Sequence, residues 1–329
     1  MNTITIIHIS DIHFGKNEYE NQGLVLNSFF KDLDSKIDEV NKDNTYCIIS
    51  GDLVNEGNSD NKYNDFYDKF IIKILNHVPI RNIFCIPGNH DLNRNFVKDN
   101  FKDHQEILSK NYSEGEFNEL LKTNDNILLK KFATYEKFCT EKLSMPNFNL
   151  YGYYELLIPE ISVFFLNSAL FSSGGYKEIK DVGILKIETS ELNKWIQEND
   201  GRKKVVVMHH PIEYLTNYAQ KELKSMLKDS IDILITGHNH DQDLEHNYIS
   251  EMHGYIKCSS PQLFSNKTEL NGYSLLNFNN NELTSVEYRQ WSQRQRKFMS
   301  GQDFSGTDNG IRTFSNSKIT PSDLISACS

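Results

Sequence analysis

Aspartate, histidine and asparagine recur at five places in the chain, in spacings that suit metal coordination. They are Asp11 and His13 in Ser10-Asp11-Ile12-His13-Phe14-Gly15, Asp52 in Gly51-Asp52, and Asn89 and His90 in Gly88-Asn89-His90-Asp91. His209 follows in Met208-His209-His210-Pro211, then His238 and His240 in Gly237-His238-Asn239-His240. Oxygen and nitrogen donors of this intermediate hardness suit Mn, Fe, Zn or Ni rather than Ca. Seven of these eight residues fill two coordination spheres if one carboxylate bridges the pair. Asp52, central among them, is the candidate bridge.

Taken singly, each piece has an ordinary explanation. Gly-Asp after a strand is a common turn, and His-His-Pro is a plausible loop. The joint pattern is harder to explain that way, because every cluster directly follows an apolar, β-rich run. Those runs are residues 4–10, 46–49, 83–86, 205–208 and 231–235, each broken by Gly, Pro or polar residues. Polar groups at the C-terminal ends of buried strands sit where open α/β sheets place their ligands.

Between the runs, apolar residues recur at helical spacing over 22–40, 61–77, 189–197 and 217–228. Alternation of strand and helix predicts parallel βαβ units. A further run at 161–166 ends in Asn167-Ser168 and resumes the sheet. Residues 95–150 are charged and helical in pattern, and read as an insertion or cap. Runs at 255–258, 273–278 and 283–291 follow one another without a long helix, which predicts added antiparallel strands. From residue 300 the chain is rich in Gly, Ser, Asp and Asn. The division expected is therefore a main domain over 1–299 and a polar tail or linker over 300–329 that could lead to an additional domain.

With 329 residues and 38% hydrophobic content, the chain is long and apolar enough to bury a sizeable core. A net charge of −10 disfavours non-specific coating of nucleic acid, but not an anionic substrate held through metal cations. No apolar run reaches membrane-spanning length and no signal-peptide pattern opens the sequence. The five scattered cysteines form no CxxC pair, and Cys47 and Cys85 lie in apolar runs. A cytoplasmic protein without a membrane partner is the expectation.

In order and wording the motifs resemble the calcineurin-like metallophosphoesterase family. Its pattern D-x-H, GD, GNH[DE], H, GHxH is met by Asp11-Ile12-His13, Gly51-Asp52, Gly88-Asn89-His90-Asp91, His209 and Gly237-His238-Asn239-His240. The resemblance implies an α/β fold of two packed mixed β-sheets flanked by helices, a four-layer αββα sandwich with the site at one edge. It implies that Asp11, His13, Asp52 and His240 hold one metal, and that Asp52, Asn89, His209 and His238 hold a second. His90 is implied as the general acid. Two divalent cations roughly 3.5–4 Å apart clamp a phosphate and lower the pKa of a bridging water, which becomes the nucleophile. Proton donation by His90 to the leaving oxygen is a role worth about 10²–10⁴ in rate. Manganese is the expected metal, with Fe, Zn or Ni as alternatives.

One departure stands out. Protein-phosphatase members carry an Asp three residues after the GD aspartate, followed by Arg; here those positions are Asn55 and Glu56. This counts against a Ser/Thr protein phosphatase and leaves open what orients His90.

Pro87-Gly88-Asn89-His90-Asp91 and Met208-His209-His210-Pro211 are most similar to class III cyclic-nucleotide phosphodiesterases and related bacterial-type enzymes. The expected function is a binuclear phosphodiesterase for nucleotide-type diesters, with Asn89 and His210 near the substrate phosphate. An equal alternative makes His210 a loop residue bonded to backbone. Ser10-Asp11-Ile12-His13-Phe14-Gly15 equally meets the opening signature of DNA-repair nucleases in this family. A nuclease effector domain of a larger protein is therefore the alternative, and a phosphomonoesterase ranks below it. For a nucleic-acid substrate, Tyr288 to Phe298 interleaves basic and aromatic residues and could stack bases on Trp291, or could simply be a strand and surface turn. Tyr151, Tyr153 and Tyr154 either line a cleft or pack the insertion onto the core.

Overall fold

The computed structural model describes residues 3–15, 19–37, 39–110, 116, 119–121, 125–238, 249–252, 254–265, 271–304 and 306–314. Its apolar runs form two sheets. In the first, β1 (Thr3–Ile9), β2 (Thr45–Ile49) and β3 (Ile83–Cys85) pair in parallel. On the other side of β1, β10 (Gly272–Asn279), β11 (Glu282–Ser292) and β12 (Lys297–Ser300) add antiparallel, and β13 (Ile311–Thr313) pairs with β11. The second sheet runs β4-β5-β6-β7-β9-β8. There β5 (Ile161–Leu166), β6 (Lys203–Met208), β7 (Ile233–Thr236) and β9 (Ile256–Ser259) are parallel. β4 (Gly152–Ile158) and β8 (Ile249–Glu251) close its edges antiparallel.

The sheets pack face to face because alternate residues of each strand point to opposite sides. On β5, Val163 and Phe165 join the core shared with β1, β2 and β10, whereas Phe164 and Leu166 face the outer layer. Helix Tyr19–Lys36 and the helical run from Asp60 cover the first sheet through Phe29, Leu33, Phe66 and Phe70. Helices Ser190–Glu198 and Asn217–Ser230 cover the second, with Trp195 Nε1–H donating to Ser162 Oγ at 2.7 Å and Leu223 and Leu227 buried. The layers are therefore helix, sheet, sheet, helix.

Three expectations change. The run near residue 256 continues the second sheet in parallel with the 233–236 strand, Ile233 opposite Ile256, and takes the 249–251 strand as its other, antiparallel neighbour. The segment 95–150 contains helices Arg94–Asp99, Phe101–Ser109, Asp125–Lys130 and Ala133–Lys137. Its second half is not a peripheral cap: Phe132, Tyr135, Phe138 and Cys139 are buried in the main core. The ordered sheet also runs past the boundary expected at residue 299. Phe304 is buried against Tyr288, and β13 pairs Ser285 with Thr313, since apolar side chains punctuate an otherwise polar stretch.

The aromatic-basic stretch is structural. Trp291 is buried against Phe298, and Arg289 grips Asp32 with Nε at 2.8 Å and Nη2 at 2.7 Å. It presents no stacking platform. Tyr153 is buried and donates to the Cys85 carbonyl at 2.7 Å, joining the sheets; Tyr151 donates to the Leu121 carbonyl at 2.8 Å; Tyr154 is exposed. Among the described residues, Cys47, Cys85, Cys139 and Cys258 are free and buried, and no helix is long and apolar enough to cross a membrane.

Candidate metal centre

β1, β2 and β3 of one sheet and β6 and β7 of the other end at the same edge of the sandwich. There the chain bends sharply. Asp11, His13, Asp52 and His238 take left-handed backbone conformations, with φ of 53°, 46°, 54° and 59°. Such non-glycine residues cost about 1–3 kcal/mol each and persist where the surroundings over-determine them. Here backbone bonds fix them: Asp11 N–H donates to the Gly51 carbonyl at 3.1 Å and His13 N–H to the Asp52 carbonyl at 3.0 Å. His238 N–H donates to Asp11 Oδ2 at 2.9 Å. From the first helix, Gln22 clamps the same loop, donating to the carbonyls of Ile12 and His13 and accepting from Gly15 N–H.

Ligand-capable atoms of Asp11, Asp52, His209 and His238 all lie within 4.8 Å of one another, and so do those of His13, Asp52 and His90. Asp52 belongs to both groups. Its Oδ1 accepts from His90 N–H at 2.7 Å. Its Oδ2 is buried without a hydrogen-bond partner, 3.6 Å from His209 Nε2 and 3.9 Å from His13 Nδ1. A buried carboxylate oxygen left in this way is costly unless a cation meets it. His209 Nδ1 donates to the Ser50 carbonyl at 2.7 Å, which leaves Nε2 as a lone pair aimed inward. That Nε2 lies 3.2 Å from Asn89 Oδ1 and 3.1 Å from His238 Nδ1. Acceptors converging on one point fit a divalent cation on each side of Asp52.

The packing leaves no room for bulk behind these ligands. A Cβ on Gly88 would stand 2.2 Å from Asp52 Oδ1, and one on Gly51 2.4 Å from His209 Nδ1. Burial opposes the charge of Asp52, but His209, His90 and His13 outweigh it and hold its carboxyl below the usual range.

His90 stands beside this centre, its ring edge-to-face with His13 at a centroid distance of 4.5 Å. Its Nδ1 is 2.9 Å from the Asn55 carbonyl, so the backbone of the departing residue holds the imidazole. Asp91 has a different task. Its carboxylate accepts from Leu53 N–H, Gly88 N–H and Tyr63 O–H and ties the Gly51-Asp52 loop to the Gly88-Asn89 loop. Burial, then the charge of Asp52, push Asp91 up to about 7 against these bonds.

A sequence profile described as calcineurin-like phosphoesterase matches residues 4–242. The chain belongs to that family. It is 24% identical over 317 residues to an uncharacterized metallophosphoesterase-like protein of Bacillus subtilis, covering 89% of this chain and 62% of that protein. The chain thus spans less than two thirds of that relative's length. Among solved structures, the purple acid phosphatase PPD1 of yellow lupin seeds superposes with a TM-score of 0.51 at 11% identity. The match covers 94% of this chain and 54% of the lupin chain, a likeness of fold.

Of the residues expected at the site, Asp11, His13, Asp52, Asn89, His90, His209 and His238 come together, and His240 lies outside the described residues. His210 takes neither expected form in full. Its Nδ1 meets the Ser168 hydroxyl at 3.0 Å, its N–H donates to the same oxygen at 2.9 Å, and its ring lies 4.6 Å from that of His238. Sequence reasoning missed the Asn55 carbonyl, which carries no side-chain signal. It also missed Arg94, whose Nη2 is 3.1 Å from His90 Nδ1; its four-residue spacing from His90 was the available cue.

Proposed function

We propose that the chain is a divalent-metal-dependent phosphodiesterase acting on nucleotide-type diesters, with His90 as general acid. The observation that carries this reading is Asp52, one buried carboxylate shared by two groups of metal-capable side chains. Asp11, His13 and Asp52 would hold one cation with His240, assigned by motif position; Asp52, Asn89, His209 and His238 would hold the other. When bound, a pair of divalent cations supplies charge neutralisation for the phosphoryl oxygens and a water acidic enough to attack, with manganese the first choice. The Asn55 carbonyl holds the His90 ring through Nδ1, and Nε2 would give its proton to the leaving oxygen. Asp91 keeps the two ligand loops in register. Asn89, and His210 beside His238, are the residues assigned to the substrate phosphate. The free, buried cysteines fit a cytoplasmic setting.

A diester is favoured over a phosphoprotein because Asn55 and Glu56 replace the Asp and Arg expected of a protein phosphatase. The test is hydrolysis by metal-stripped protein reloaded with Mn²⁺. The substrates are bis-p-nitrophenyl phosphate, p-nitrophenyl phosphate, 2′,3′- and 3′,5′-cyclic nucleotides, and single- and double-stranded DNA. Preference for the diester over the monoester is expected; the reverse preference would overturn the reading.

A further inference from the structure

Helix Arg94–Asp99 begins four residues after His90, and helix Phe101–Ser109 follows it directly. Backbone bonds carry the turn past the junction, Asn100 N–H donating to the Phe96 carbonyl at 3.0 Å and His104 N–H to the Asn100 carbonyl at 3.1 Å. Lys98 and Lys102, four residues apart and both exposed, therefore share a face. Asp99 and Asp103 come one residue later and lie about 100° round the helix. Among the described residues no carboxylate lies within ion-pair distance of Lys98, Lys102 or Lys177. Glu106, the next acid along, is taken by Lys110 at 2.8 Å.

Lys177 reaches the same place from the loop after β5. Gly174, Gly175, Lys177 and Glu178 all take left-handed backbone conformations, with φ of 62°, 75°, 53° and 60°. For the two non-glycine residues that is costly and persists only where the surroundings impose it. This turn carries Lys177 Nζ to 4.3 Å from the centroid of the Phe101 ring and 5.9 Å from that of Tyr176. The two half-buried rings meet edge-to-face at 5.0 Å. An exposed ammonium is ordinarily mobile, but this one is held over a ring by cation–π attraction, with no anion beside it. The same loop touches the candidate metal centre: a Cβ on Gly174 would stand 3.1 Å from the Asn89 carbonyl oxygen.

We infer that this face holds a single-stranded nucleic-acid substrate beside the centre, with Lys98, Lys102 and Lys177 meeting phosphates beyond the scissile one and the Phe101 and Tyr176 rings meeting bases. Cations interleaved with aromatic rings suit an unpaired strand, because its phosphates meet the cations and every base offers a π face. A duplex keeps its bases stacked away from such rings. The net charge of −10 makes this binding local and opposes a general coating of the protein. The inference rests on the phosphodiesterase reading and narrows it, since a cyclic nucleotide carries no further phosphate to reach these lysines.

The experiment measures kcat/KM of the Mn²⁺-loaded protein at rising NaCl on oligo(dT) of about a dozen residues, its duplex with oligo(dA), TpT and bis-p-nitrophenyl phosphate. Wild type is expected to prefer single-stranded oligo(dT) over TpT by about tenfold or more per diester bond. The fall of log kcat/KM with log salt should be steeper for oligo(dT) than for bis-p-nitrophenyl phosphate by about 2, three contacts at about 0.7 each. Joint replacement Lys98→Gln, Lys102→Gln and Lys177→Gln should remove both differences, and joint replacement of the three by Arg should keep them. No preference for oligo(dT) in wild type, or differences that survive the Gln replacements, would overturn the assignment. So would a preference for the duplex, or an equal fall on all four substrates, which would make the lysines purely structural. Wild type inactive on bis-p-nitrophenyl phosphate would instead overturn the phosphodiesterase reading itself.

Discussion

His90 Nδ1 lies 2.9 Å from the Asn55 carbonyl and 3.1 Å from Arg94 Nη2. In the proposed mechanism that backbone carbonyl would take the place of the carboxylate expected of protein phosphatases, without adding negative charge. Replacing the ring should therefore strip away proton donation and little else. His90→Asn is expected to lower kcat on a diester with a poor leaving group by about 10²–10⁴. The metal content, read by plasma mass spectrometry, should stay unchanged. Loss confined to good leaving groups such as p-nitrophenol would contradict the assignment, because those depart without an acid.

At the scale of elements, the second half of the 95–150 segment is fastened by the hydrogen bonds of a buried lysine. Lys131 is fully buried, its Nζ donating to the Ser172 carbonyl at 2.7 Å and lying 3.2 Å from His104 Nε2. Burial pulls its ammonium from 10.5 down to about 7, with Asp181 opposing, and burial, then Lys131, push His104 down to about 3. The unfolded chain thus binds a proton more tightly than the folded one. Lys131 consequently weakens folding progressively as pH falls from 10.5 to about 7, and by a constant amount below. In denaturant titrations, the stability of Lys131→Met relative to wild type should improve steadily over that window and level off beneath it. A difference independent of pH would show the lysine to be hydrated. This element also marks where sequence pattern is weakest: helical periodicity located these helices, but nothing in it distinguishes a face packed into the core from one lying over it.

Across the whole molecule, the parallel strands and the residues after them were legible because buried strands are continuous apolar runs and strained polar turns follow abruptly. Of the late strands, β10 and β11 were legible as antiparallel additions, β9 as a strand but not in its pairing, and β13 not as a strand at all. The assignment of β9 to the second sheet depends on a crossover, and the pairing of β13 on three residues in a polar stretch. Arg94 and the Asn55 carbonyl were illegible because each acts through a nitrogen of His90 that only folding brings near.

The candidate ligands come from both sheets: Asp11, His13, Asp52 and Asn89 from the first, His209 and His238 from the second. Cations held there would staple together segments more than two hundred residues apart, so their binding energy is also folding energy. Free metal at about 100 times its Kd should add about 2.7 kcal/mol per site to the stability. Thermal unfolding should then rise with metal concentration and fall with chelator; a Tm indifferent to both would exclude such linkage. Metal supply would then govern how long the chain survives as well as how fast it turns over, and a cell short of the metal would lose the protein itself.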